Sequence, residues 1–230
     1  MFKPTFAILL VLLTISLSAQ DFPVYGRKIS QPQITTLFTE KEKSALKINI
    51  PIKSAYYYKD KSGEWYTLLS ENNLKSGAEN TLKVHFLKKE KQGLKIINEI
   101  SDFTTLNKNS NFRETSIYFL EKFCEFKDLN HDGFIDPIIV YATLGLNGMD
   151  DGRIKIFLLY KQQKIAIRHQ NGILDFERNT SIDKSFYTLP TALQNHIKTI
   201  MKTIEKETNA IFPAGWENAM KNRKLYFDEN

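Results

Sequence analysis

The chain has 230 residues, 32 Lys and Arg against 26 Asp and Glu for a formal charge of +6, and one Cys. A single cysteine excludes an intramolecular disulfide, and basic residues dispersed among acids rather than gathered in a stripe argue against nucleic-acid binding. A chain of this length is enough for one sizeable core or at most two small ones.

Lys3 supplies a short positive start, Phe6 to Leu17 is almost unbroken apolar sequence, and Ser16, Ser18 and Ala19 are the small residues of a peptidase site. Residues 1–19 therefore read as a cleavable secretory signal, with the mature chain beginning at Gln20. The apolar run is short of the ~20 residues that span a bilayer, and no Cys stands just after the cleavage point to carry a lipid, Cys124 being far along the chain. The expected location is the periplasm or the cell exterior, with no transmembrane segment after cleavage. Removing residues 1–19 takes away Lys3 and no acid, leaving 31 basic and 26 acidic residues and a charge of +5. Charge of this size favours weak attraction to anionic surfaces and carries no specificity.

Residues 20–110 read as an N-terminal β-rich region. Pro23 and Pro32 oppose helix in residues 20–36, which read as an extended leader. Phe38 to Leu46 suits a short helix, and Ile48, Ile50 and Ile52 alternate as in a strand. Tyr56–Lys59 and Glu64–Leu69 flank a D-K-S-G turn, and Leu82–Lys88 and Leu94–Ile100 flank a turn ending at Gly93, so both pairs read as β-hairpins. Ser70–Asn80 and Asp102–Arg113 read as loops, the second marking a boundary.

Residues 111–212 continue with Ile117–Phe126 and Ile138–Leu144 on either side of an acidic loop, then Ile154–Tyr160 and Lys164–His169 around a polar turn. Leu189, Leu193, Ile197, Ile200, Met201 and Ile204 recur every three or four residues, which predicts one amphipathic helix with Thr188 or Thr191 as its cap. Residues 213–230 form a tail with a short helix near Trp216 and a frayed end. The predicted fold class is α+β: an antiparallel β-hairpin meander covered by a C-terminal amphipathic helix.

The acidic loop, Asp128 to Asp136, reads D-L-N-H-D-G-F-I-D. Oxygen-bearing side chains at loop positions 1, 3, 5 and 9, with glycine at 6, are how a short loop wraps a hard cation, and the expected cofactor is calcium. The predicted ligands are the side chains of Asp128, Asn130, Asp132 and Asp136 and the backbone carbonyl of Phe134. Position 12 is Ile139, so the bidentate Glu of the helix-flanked EF-hand is absent and Asp136 must close the shell. Flanking strands rather than helices fit the strand-flanked version of this loop. An Asp/Asn/Gly turn that binds nothing is the alternative reading.

Other constellations are weaker. Tyr56, Tyr58 and Trp65 are candidate ligand-binding aromatics for a sugar ring, with cross-strand packing as the competing reading. Asn147, Asp150 and Asp151 lie in a second, glycine-rich acidic loop and are further candidate ligand-binding residues. Cys124 reads as a buried strand residue. The four histidines lack H-E-x-x-H spacing, and there is no G-x-S-x-G, P-loop or dinucleotide fingerprint, so no catalytic residue is assigned.

The export signal, F-x-D-L-N-H-D-G-F-I-D at Phe126–Asp136, the strand I-I-V-Y-A-T-L-G-L-N-G-M-D-D-G, the hairpin ending in K-I-A-I-R-H and a helix after T-L-P together resemble a family of small exported bacterial proteins named for surface polysaccharide biosynthesis. The likeness spans about Ile117 to Phe212. It implies a role in making or maintaining cell-surface glycan, with glycan or envelope proteins as partners, and supplies no catalytic residues. The leading expectation is a non-enzymatic, calcium-binding accessory or binding protein of the cell envelope. The alternatives are a glycan-acting hydrolase or transferase using Asp150 or Asp151, and a protein-interaction or inhibitor module.

Overall fold

A computed structural model describes residues 25–72, 80–105, 113–208 and 210–229. The signal segment, the mature start at Gln20, and much of the loops expected at Ser70–Asn80 and Asp102–Arg113 lie outside these residues. The architecture is α+β and built on antiparallel sheets.

The first sheet has the order β1-β2-β3-β4-β5, formed by β1 (Arg27–Ile29), β2 (Ile52–Asp60), β3 (Gly63–Asn72), β4 (Thr81–Glu90) and β5 (Gly93–Phe103). The second has the order β12-β11-β10-β9-β8-β6, from β6 (Ser116–Phe119), β8 (Asp136–Leu144), β9 (Arg153–Tyr160), β10 (Gln163–Gln170), β11 (Asn179–Ile182) and β12 (Tyr226–Asp228), with β7 (Glu125–Lys127) paired to β8 beside β6. Helices α1 (Gln31–Leu37), α2 (Glu40–Ala45), α3 (Thr191–Glu207) and α4 (Trp216–Lys221) complete the described elements.

Alternation along the strands sorts side chains into three cores. On the first sheet, Ala55, Leu68 and Leu87 face Ile34, Phe38 and Ile48 of the N-terminal helical segment. Its other face carries Tyr56, Tyr58, Trp65, Leu69 and Phe86 onto Phe126, Ile139 and Tyr141 of the second sheet. The far face of the second sheet sets Ile138, Val140, Ile156 and Ile167 against Leu193, Ile197, Met201 and Ile204 of α3. The order of layers is thus helix, sheet, sheet, helix. A register shift on β5, between the partners of Phe86 and Leu87, turns Ile97 toward the intersheet core while Ile96 packs on the outer one.

Several expectations are corrected. Residues 31–37 are helical, not extended, because Pro32 lies in the first turn, where a missing N–H is tolerated, and Gln33 Oε1 accepts from the Ser30 backbone N–H. Ile48 and Ile50 are buried ahead of the strand, which starts at Ile52. Ile117–Phe126 is interrupted by a 3-10 turn at Glu121–Phe123, so Cys124 sits between two strands rather than within one. Neither Thr188 nor Thr191 caps α3; Pro190 holds the cap position without a side-chain bond. The chain end does not fray up to residue 228: Tyr226–Asp228 pairs with Asn179–Ser181.

Ile139 is fully buried where the two sheets meet. Replacing it with Ala is expected to lower unfolding stability by roughly 2–5 kcal/mol in a urea titration, the cost of a cavity in a core that cannot collapse; a loss under about 1 kcal/mol would contradict a shared intersheet core.

Candidate functional site

The acidic loop connects β7 to β8, and its ends are paired directly, Lys127 to Asp136. Two left-handed residues shape it, His131 at φ 59 and Gly133 at φ 87. Gly133 suits its left-handed position, while an added Cβ would meet only the flexible end of the Lys61 side chain. The side chains predicted as ligands turn inward onto loop amides. Asp128 Oδ1 accepts from Asp132 N at 3.1 Å and Oδ2 from Gly133 N at 2.8 Å. Asp132 Oδ1 accepts from Phe134 N at 3.0 Å, and Asp136 Oδ2 from Leu129 N at 3.0 Å. Asn130 spans the middle, accepting from Asp132 N and donating to Asp132 Oδ2.

This donor set is chemically suited to a hard cation: three carboxylates, one amide oxygen and backbone carbonyls within nine residues. As placed, the carboxylates are directed at amides, and among the described residues no group of three or more His, Cys, Asp or Glu stands in a metal-holding arrangement. Burial pushes the Asp136 carboxyl up to about 7, and the nearby charges of Asp132 and Asp128 add to that rise. Gathering negative charge in a largely buried loop is unfavourable, and a divalent cation relieves it.

Residues far away in sequence hold the loop in place. The turn between β2 and β3 supplies Lys61, whose backbone N–H donates to Gly133 O at 3.0 Å and whose Nζ donates to Asp132 O at 2.9 Å. Asp60 Oδ2 accepts from Ile135 N at 3.2 Å. In sequence these residues belong to an ordinary D-K-S-G turn, and nothing local marks them.

A pocket of about 290 Å³ opens between this turn, the acidic loop and the β9–β10 turn, with Tyr58, Trp65, Asp132, Phe134 and Asp136 in its wall. Structure thereby brings three of the predicted metal ligands together with two of the candidate aromatics. Tyr58 and Trp65 are only 4% and 6% exposed, so they form its floor, not an open platform. Tyr56 is excluded from it, stacked on Phe126 at 4.2 Å within the intersheet core.

The glycine-rich loop lies at the opposite end of β8 and shares nothing with this site. Asp151 is buried and accepts from the Asn147 backbone and side-chain amides at 3.0–3.1 Å, making both residues internal supports of the loop. Asp150 alone lines an open depression, together with Arg178 and Glu205. Cys124 is half-buried rather than buried; desolvation pushes its thiol up to about 12, and its sulfur bonds Val140 O and Val140 N as a missing backbone partner would.

The same end of the sheets carries a charged network with no signal in the sequence. Glu114, 3% exposed, accepts from Arg153 Nε and Nη2, Thr143 Oγ1 and Thr105 N. Asp102 accepts from Tyr141 Oη at 2.9 Å and Lys155 Nζ at 2.6 Å, joining β5 of one sheet to β8 and β9 of the other. Two acids matched by two bases, all bonded, make a structural clamp rather than a reactive centre. No helix among the described residues is long and apolar enough to cross a membrane. No family model, no curated protein and no solved structure matches the chain.

Glu114→Ala removes the buried acceptor of Thr143 Oγ1 and Thr105 N and leaves the half-buried Arg153 with Phe103 O and Asp102, so it is expected to cost about 1.5–3 kcal/mol in urea unfolding, whereas a loss within about 0.5 kcal/mol of zero would contradict the clamp. The loop predicts a pH effect. Between the ordinary carboxylate value of about 3.9 and the folded value of about 7, the folded chain retains a proton on Asp136 that the unfolded chain has released, so cation-free stability falls as pH rises through this window. His169, which burial pushes down to about 4, acts in the opposite sense up to about 6.5, so the measurement is relative to Asp136→Asn. In EDTA, that variant should gain roughly 2–3 kcal/mol on the parent chain between about pH 5 and pH 8; an unchanged difference overturns the assignment.

Proposed function

We propose that the chain is an exported, non-enzymatic binding or accessory protein of the cell envelope, that calcium held by Asp128, Asn130, Asp132, the Phe134 carbonyl and Asp136 staples it, and that it serves surface polysaccharide. The observation that supports this most directly is the way the loop is seated. Asp60 and Lys61 bond it to the first sheet, while Lys127 and Asp136 belong to the second. A cation there supplies charge neutralisation at a seam between the two sheets, and the loop's own side chains do the holding. The fold that goes with this reading is a succession of hairpins closed by α3. Export rests on Lys3, the Phe6–Leu17 run and the Ser16, Ser18, Ala19 pattern; the glycan connection rests on the family resemblance of Ile117 to Phe212.

A glycan-acting hydrolase is the second reading, and one observation favours it: Asp150 and Glu205, two carboxylates, line the same open depression of about 480 Å³. Asp151 does not join them, being turned onto Asn147. Under this reading an Asp150→Ala chain loses glycan cleavage; under the first it loses nothing measurable.

The staple is tested by thermal melting of the chain without residues 1–19, in EDTA and in millimolar calcium. With a dissociation constant of ~10⁻⁴ M and calcium at ~10⁻³ M, linkage gives about 1.4 kcal/mol, or a midpoint rise of roughly 3–6 °C. Asp128→Ala/Asp132→Ala should abolish the rise. An equal midpoint with and without calcium, in a chain that retains no calcium on dialysis, overturns the staple.

A further inference from the structure

We propose that the pocket beside the acidic loop binds one neutral pyranose unit. The proposal deepens the glycan-associated reading above and rests on it for the source of the sugar, but its argument is the pocket itself. The floor is apolar and rigid. Trp65 donates its Nε1–H to Ser62 Oγ at 2.8 Å, and Ser62 Oγ in turn donates to Asp60 Oδ1 at 2.6 Å, so the indole is pinned by its polar edge. Tyr58 lies nearly parallel to it, with an interplanar angle of 10°. At the mouth, Phe134 stands 41% exposed, an aromatic face that the fold leaves without cover.

The rim offers both halves of a hydroxyl's bonding. A carboxylate has about four acceptor sites. Asp60 uses three of them, on Ser62 N, Ser62 Oγ and Ile135 N. Asp132 uses two, on Phe134 N and Asn130 Nδ2. A free acceptor position therefore remains on Asp60, which lies outside the cation shell, and further ones on Asp132 when the loop holds no cation. Donors come from the opposite wall, where Lys161 and Gln162 form the exposed β9–β10 turn, each in the left-handed region with φ 48 and 64. A turn usually filled by Asn or Gly instead carries two long polar side chains over the pocket.

Size and charge narrow the ligand. A volume of about 290 Å³ is at the small end of ligand sites, ~300–1,000 Å³, and suits one ring with its substituents rather than an oligosaccharide. In the cation-free chain, three acidic side chains against one ammonium in the lining, Asp60, Asp132, Asp136 and Lys161, disfavour uronate or phosphate groups. A neutral ring with an apolar face for the aromatics and hydroxyls that both donate and accept meets every feature.

The test is isothermal titration of the exported chain with glucose, galactose, mannose, N-acetylglucosamine, glucosamine and glucuronate, in EDTA and in millimolar calcium. At ~0.3 kcal/mol per heavy atom, at least one neutral hexose should bind with a dissociation constant on the order of millimolar, and in EDTA glucuronate should bind at least about tenfold more weakly. Gln162→Ala alters an exposed residue outside the acidic loop and should weaken binding about three- to tenfold with an unchanged melting midpoint, and Phe134→Ala, which removes the aromatic face and keeps the backbone carbonyl, should weaken it by a similar factor in EDTA. Tryptophan emission in a Trp216→Phe background, where Trp65 is the sole indole, should titrate with the same constant. Absence of binding by all neutral hexoses, preference for glucosamine or glucuronate over them, or insensitivity to both rim substitutions overturns the proposal. Sugar binding without any calcium response overturns the staple alone; a calcium response without sugar binding overturns the pocket assignment alone.

Discussion

Everything in this structure depends on β8 being buried on both faces. Ile138, Val140 and Ala142 pack toward the layer of α3, and Ile139 and Tyr141 pack toward the first sheet. A strand enclosed in this way cannot alternate between apolar and polar, and eight of its nine residues are buried. It pairs with β9 along one edge and with β6 and β7 along the other. Burial and pairing together leave it no freedom of register, because a slip by one residue would exchange the two cores.

That constraint places the polar features at the two ends of the sandwich. At the start of β8, Asp136 must be a strand residue and a loop residue at once, and its carboxyl is carried into a region where ionisation is disfavoured. At the far end, Thr143 and Tyr141 meet Glu114 and Asp102 in the network that joins the sheets. The two ends solve the same problem differently. The clamp neutralises its acids with Arg153 and Lys155, whereas at the loop Lys61 bonds a carbonyl rather than a carboxylate and Lys161 stands across the pocket. Negative charge is left unbalanced at one end, and that is where a pocket opens.

The aromatic residues show how burial decides between chemically equivalent side chains. Tyr56 and Tyr58 point the same way from β2 and both pack on Phe126 in the intersheet core, yet Tyr58 also reaches the edge where the pocket opens. Tyr57, between them, faces outward and contacts Tyr66. Position along the strand, not residue type, separates core from pocket wall.

Much of this was legible in the residues themselves. Turn chemistry at Gly63 and Gly93 locates both hairpins of the first sheet, the three- and four-residue spacing from Leu189 to Ile204 locates α3, although Leu189 itself precedes the helix, and the apolar residues from Ile138 to Leu144 mark a strand. The spacing of Asp128, Asn130, Asp132, Gly133 and Asp136 describes a loop that folds its oxygens inward. These are local properties, set by φ preferences and by periodicity within one element. What only the tertiary structure decided is which elements share a boundary: that Asp60 and Lys61 seat the acidic loop, that Trp65 forms a floor beside it, that Glu114 meets Arg153, and that Tyr226–Asp228 completes a sheet edge. Each of those contacts joins residues tens of positions apart, and their partners are chosen by how two sheets and two helical layers pack, a choice that no short window of sequence contains.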